Sequence, residues 1–189
     1  EEARRLASEM GFKEFFVRKT GRFIDENQLE TSDRYRVQDK SGKFEYWLEQ
    51  PINTDFLNPA YSELGSVKDK FGNYENYLDQ VEVSCKVAGK KRKIYLSGQG
   101  YVMPCCWLGA TYSESDNAER RQFAQLVDDN GGRQALDAKI HGLKAVIEGP
   151  LFQSEIPKSW SLESVEAGKL AICARTCGVE YDPLDHQRD

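Results

Sequence analysis

At 189 residues the chain is long enough for one domain with a small appendage. Hydrophobic residues make up 39% and charged residues 30%, a globular but polar composition that implies a thin core or long exposed loops, while nine Tyr, nine Phe and three Trp argue against wholesale disorder. A net charge of −5 with no Lys/Arg-rich face argues against a nucleic-acid partner, and no apolar run approaches the ~18 residues that span a bilayer, so no membrane role is expected.

In chain order, Glu1 to Met10 predicts a helix already under way, with Ala3, Leu6, Ala7 and Met10 on one face and Gly11 where a C-terminal cap belongs. Phe15-Phe16-Val17 predicts a buried strand after it. Residues 1–20 therefore have the form of one α/β unit, and the abrupt opening is what a piece of a longer protein would have. Residues 21–80 are polar, aromatic and weakly periodic, and are punctuated by Gly42, Pro51, Pro59, Gly65 and Gly72. They are expected to be a linker or covering loops, with short strands at stretches such as Phe44 to Leu48.

Val81 to Cys85 alternates as a strand does. Lys86 to Lys93 holds Gly89 and predicts a turn, with the basic run Lys90-Lys91-Arg92-Lys93 as a solvated tip. Lys93 to Ser97 predicts a second strand, Gly98-Gln99-Gly100 a turn, and Tyr101 to Met103 a third strand stopped by Pro104. Helices follow. Ser115 or Asp116 can cap one over 117–128. Another is expected over 133–148, with Leu136, Ile140, Leu143 and Ile147 on one face. Ser161 is expected to open a last helix that delivers Cys173 near its end, and residues 181–189 to form a polar tail. The fold class is thus α+β: a small hairpin-based sheet followed by helices.

Five cysteines, with Cys105 and Cys106 adjacent, fit a disulfide framework poorly. No basic-then-apolar signal segment opens the chain, so a cytoplasmic, reducing compartment is expected, where clustered cysteines are more often metal ligands. The reversals at Gly89 and Gly98 to Gly100 can bring Cys85 and Cys105 to one end of the small sheet. Cys173 and Cys177 are i and i+4, which places both sulfurs on one helix face, and Gly178 lets the chain leave sharply. Cys85, Cys105, Cys173 and Cys177 make a candidate four-thiolate cage. Thiolates suit either zinc or an iron–sulfur cluster. Structural zinc more often takes CxxC knuckles, which this sequence lacks, and a cluster, larger than one ion, tolerates the wider intervals. Tyr101, Val102, Met103, Trp107 and Leu108 would shield such a site from water. Cys106 is either a small apolar residue or the rival of Cys105. His141 and His186 offer no cysteine–histidine pair, so no catalytic residue is assigned.

The run CKVAGKKRKIYLSGQGYVMPCCWLG, in which Cys85, Gly100 and Cys105 keep a fixed spacing, resembles the opening of the auxiliary-cluster domain of radical SAM enzymes, called SPASM in its longer and twitch in its shorter form. Val102-Met103-Pro104-Cys105-Cys106 is similar to that family's V-x-P-C-C segment, and Cys173 to Gly178, CARTCG, is similar to its closing cysteine pair. Ser159-Trp160 ahead of that pair also resembles the family. Residues 1–20 are similar, more weakly, to a late unit of the partial α/β barrel of those enzymes. Residues 21–80 carry no resemblance, and 81–180 carry it best. Three cysteines in the CxxxCxxC spacing that binds the SAM-cleaving cluster are absent. The resemblance therefore implies one twitch-type 4Fe–4S cluster held by Cys85, Cys105, Cys173 and Cys177, with Cys105 preferred over Cys106 because it follows Gly100 at the family spacing. It implies a chain that is not catalytic alone and that works with a radical SAM core or another protein, on a peptide or protein substrate. A stand-alone iron–sulfur-stapled structural or assembly protein and a zinc-stabilised interaction domain are the alternatives.

Overall fold

The structure is a computed structural model that describes residues 1–17, 19–25, 29–91, 93–113 and 117–181. The caps expected at Ser115 or Asp116, Arg92 of the basic run, and the tail from 182 with His186 lie outside the described residues.

The chain is a mixed α+β fold of short helices and two-stranded antiparallel sheets, in agreement with the expected class. Helix α1 (Glu2–Glu9) forms as expected, but of its apolar face only Ala7 is buried. The strand expected at Phe15 to Val17 does not form, and Phe16 is 73% exposed. A strand needs a neighbour for its N–H and C=O groups, and among the described residues none is paired with this segment. Strands β1 (Ile24–Asp25) and β2 (Glu30–Thr31) pair as a short ribbon. Strands β3 (Arg34–Gln38) and β4 (Phe44–Glu49) pair as a longer, largely exposed one, closed by the carboxylate of Asp39, which accepts from the hydroxyl and N–H of Ser41 and the N–H of Lys43.

Residues 60–80, expected as covering loops, are instead helical. Ala60, Leu64, Val67 and Phe71 fall on one face of α2 (Ala60–Phe71), and all four are buried. Buried Asn58 accepts the N–H of Ala60 and starts the helix, and Gly72, with φ +79°, ends it. Asn73 caps α3 (Tyr74–Gln80) by accepting the N–H of Asn76 at 2.8 Å. These helices build one core with Leu29, Val81, Ala174 and Tyr181.

The second core holds Met103, Leu108, Phe123, Val127, Leu136, Leu151, Ile156 and Ile172. Strands β5 (Tyr95–Leu96) and β6 (Val102–Met103) form the expected hairpin around the 98–100 turn. The segment Val81 to Cys85 does not join it. Val83 bridges Gly178 instead, and Lys86 to Lys91, expected as an open turn, winds helically, π-type over Val87–Lys91. Helix α4 (Cys106–Ser113) follows β6, and α5 (Ala118–Asp128) lies where expected, capped by Asn117.

The single helix expected over 133–148 is broken into a 3-10 turn (Arg133–Leu136), α6 (Ala138–His141) and α7 (Leu143–Ile147). Gly142 at φ +78° cannot continue a helix, and Asp137 caps α6 while pairing with Tyr101, so Ile140 and Leu143 of the expected apolar face are exposed. The helix expected from Ser161 also fails. A π-type turn (Leu151–Glu155) and α8 (Ile156–Ser159) precede irregular turns, and α9 (Ala171–Cys177) begins only after Leu170. Cys173 lies in the first turn of α9 rather than near the end of a longer helix. Ala171 to Ala174 and Thr176 are all buried. A helix buried nearly all round sits between cores, and α9 gives Ala174 to the first and Ile172 and Cys173 to the second.

Candidate metal centre

The exit from α3 sets the position of Cys85. The side chain of Lys169, 3% exposed, donates to the carbonyls of Asp79 and Val81 at 2.6 Å each, which satisfies the end of that helix. The chain then runs antiparallel to the end of α9. Ser84 N–H donates to the Cys177 carbonyl at 2.9 Å, and Val179 N–H to the Glu82 carbonyl at 3.1 Å. This pairing brings Cys85 beside Cys177, close enough for the two thiols to titrate together. Gly178 makes it possible. A Cβ there would lie 2.6 Å from the Ala174 carbonyl oxygen, 2.9 Å from Val81 Cγ2, and closer still to the Tyr77 hydroxyl.

Cys105 arrives from the β5–β6 hairpin. Pro104 ends β6, and Cys105 opens α4, its carbonyl accepting from Gly109 N–H and its sulfur from Leu108 N–H at 3.5 Å. Cys85 stands in the same relation to its own helical turn, with Ala88 N–H donating to its sulfur at 3.5 Å. Cys173 and Cys177 share α9 at the i, i+4 spacing.

All four candidate ligands line one cavity of about 330 Å³. Among the described residues, its other walls carry no carboxylate or imidazole: they include Ile94, Tyr95, Trp107, Leu108, Ile156 and Trp160, with Lys86 and Lys93 as the charged groups. Of the expected shielding residues Trp107 and Leu108 line it. Tyr101, Val102 and Met103 are not among its walls: Val102 and Met103 pair in the hairpin, and Tyr101 and Met103 pack on the second core. Cys106 also borders the cavity but is exposed, whereas Cys105 is half-buried with an N–H on its sulfur. Among the described residues no three His, Cys, Asp or Glu side chains converge tightly enough to hold a single ion. All four candidate cysteines border the one cavity.

The electrostatics follow from that grouping. A hydrogen bond with Cys177 lowers Cys85 to about 6, and the same bond raises Cys177. Burial raises Cys105, and raises Cys173 strongly. Burial and the Cys85–Cys177 bond thus leave three thiols that hold their protons more firmly beside one that releases its proton readily. A cationic group bound there would release those protons. A second observation bears on the sulfurs of such a group: the buried indole N–H of Trp160, on the cavity wall, meets no acceptor within hydrogen-bonding geometry and can serve thiolate or sulfide sulfur. Sequence reasoning does not find Trp160 or Lys169 as site residues. Nothing local marks Lys169, and only the resemblance touches Trp160.

No helix among the described residues is long and apolar enough to cross a membrane. Comparisons with protein-family models, with curated proteins and with solved structures gave no match.

Proposed function

We propose that this chain binds one 4Fe–4S cluster through Cys85, Cys105, Cys173 and Cys177, as an auxiliary-cluster module of the radical SAM type. The carrying observation is that four cysteines from three separate segments line a single cavity whose described walls hold no other metal-ligating side chain than the bordering Cys106. A cluster is a body with corners, and sulfurs spaced around a cavity match it better than they match one ion, whose thiolates would all stand about 2.3 Å from the metal. When bound, it supplies one-electron capacity and a rigid crosslink. The residues of the chain hold it, exclude water through Trp107, Leu108, Ile156 and Trp160, and set donors on the sulfurs. With all four corners held by cysteine, the site leaves no iron open for SAM, so radical chemistry belongs to a separate core that this module serves, on a peptide or protein substrate.

The test is anaerobic purification or reconstitution with iron and sulfide. About four iron and four sulfide per chain, with broad absorbance near 400 nm, is the expected result. Stoichiometric zinc without sulfide, or SAM cleavage by this chain alone, would overturn the proposal.

A further inference from the structure

Three of the four sulfurs meet main-chain N–H groups: Cys85 that of Ala88, Cys105 that of Leu108, and Cys177 that of Lys86. These donors are fixed by the helical turns themselves. Cys173 differs. It is the most buried ligand, at 8% exposure, and the donor facing it is a side chain, the indole of Trp160. Trp160 is held in place by its own backbone. It caps α8, its N–H donating to the Pro157 carbonyl at 3.2 Å, directly after Ser159, which is buried and whose hydroxyl donates to the Ile156 carbonyl at 2.6 Å. The indole N–H is buried against the cavity with no acceptor in bonding geometry.

We infer that Trp160 sets the reduction potential of the site: with a cluster bound, its indole N–H would donate to sulfur on the Cys173 side of the cavity. This rests on the cluster reading above. An N–H directed at sulfur stabilises whichever oxidation state carries more negative charge, and a charge-assisted bond gains strength as that charge grows. Burial enlarges the effect by excluding competing water. Adding an electron makes the cluster more negative, so the indole favours the reduced form. The indole keeps its proton throughout. Two of the donors are side chains that a substitution can remove without moving backbone, the Trp160 indole and the Thr176 hydroxyl. The hydroxyl donates to Cys177 Sγ at a long 3.9 Å and also to the Ile172 carbonyl at 2.7 Å, so position 160 is where a donor can be removed with least disturbance of α9.

The experiment uses the full chain, loaded anaerobically and titrated with dithionite under EPR, in wild type, Trp160→Phe and Trp107→Phe. Trp160→Phe keeps an aromatic ring and loses only the donor. The expected result is wild-type iron and sulfide content with a lower midpoint potential: about tenfold less reduced cluster at fixed potential, or about 59 mV for a one-electron couple. Trp107→Phe, on the same cavity wall, moves the midpoint less. A second measurement does not depend on the variant loading: wild type and Trp107→Phe carrying ¹⁵N-indole tryptophan show a ¹⁵N coupling to the reduced cluster by electron–nuclear double resonance. A loaded wild-type cluster with no such coupling, or equal midpoints in wild type and Trp160→Phe, overturns the inference and leaves the cluster reading standing. Wild type without iron or sulfide overturns both.

Discussion

Gly178→Ala adds one methyl group, and the structure decides its sign. The new Cβ would sit 2.6 Å from the Ala174 carbonyl oxygen and 2.9 Å from Val81 Cγ2, with the Tyr77 hydroxyl nearer still. The side chains of Tyr77 and Val81 are fully buried, and the carbonyl belongs to α9, so none of these neighbours can yield cheaply. Overpacking of this kind costs about 1–3 kcal/mol. Against it stands the reduced freedom of the unfolded chain, about 0.4–1 kcal/mol in favour of Ala. The net is a destabilisation of about 1–2 kcal/mol, which for a chain of this size lowers the melting temperature by about 2–8 °C. Relief requires residues 177–179 to move away from 82–84, which separates Cys177 from Cys85, so iron loading falls as well. Gly65→Ala is the control. Gly65 lies exposed within α2 with nothing within 4 Å of an added methyl, so the same chemical change should stabilise by about 0.5–1 kcal/mol. Circular dichroism melts of both variants, metal-free and loaded, read the result. Gly178→Ala melting at or above wild type with full iron content would refute the reasoning.

Replacing Cys85, Cys105, Cys173 or Cys177 singly with Ser abolishes or cripples iron loading, while Cys106→Ser retains it; loss in Cys106→Ser with retention in Cys105→Ser would reverse that assignment. Lys169→Met leaves the carbonyls of Asp79 and Val81 without their donor and destabilises by about 2–4 kcal/mol, read from the urea midpoint; an unchanged midpoint would remove the lysine from the account. Removing the metal by chelation or oxidation loosens residues 81–180 cooperatively, as limited proteolysis should record, and identical melting curves for both forms would count against a stapling role. The Asp39 carboxyl is held below its usual range, first by the Ser41 hydroxyl and then by the N–H groups of Lys43 and Ser41. A depressed carboxylate contributes fully above its unfolded value of about 3.9 and loses that contribution as pH falls through the lower folded value. The Ser41 and Lys43 amide signals should therefore shift together at acid pH in wild type and stay flat in Asp39→Asn.

The candidate ligands are legible in the sequence because spacing alone carries them: i, i+4 within α9, and a turn-bounded hairpin ending at Pro104-Cys105. What places Cys85 is not legible. Val83 pairs with Gly178 far along the chain, and no local pattern announces a long-range bridge between two single residues. Helices α2 and α3 escape a sequence reading because Gly65 and Gly72 look like breakers, although Ala60, Leu64, Val67 and Phe71 carry the helical period through Gly65. The opposite error arises at 133–148, where a correct apolar period hides the positive φ of Gly142. Phe15 to Val17 shows the limit of composition: an apolar run reports a tendency to burial, and the partner that satisfies it need not lie nearby in the fold.

The pairing of Val83 with Gly178 also fixes when the site can exist. Protein is made from the N-terminus, and the stretch from Cys85 to Cys177 takes on the order of 10 s to synthesise at roughly 5–20 residues per second. Through that interval Cys85 and Cys105 have left the ribosome while the other half of their cavity has not. If the site takes a cluster, a scaffold handing over iron and sulfur would meet only half a set of thiols until α9 emerges. On the cluster reading, loading waits for α9, and a nascent chain stalled before Ala171 carries Cys85 and Cys105 without Cys173 and Cys177.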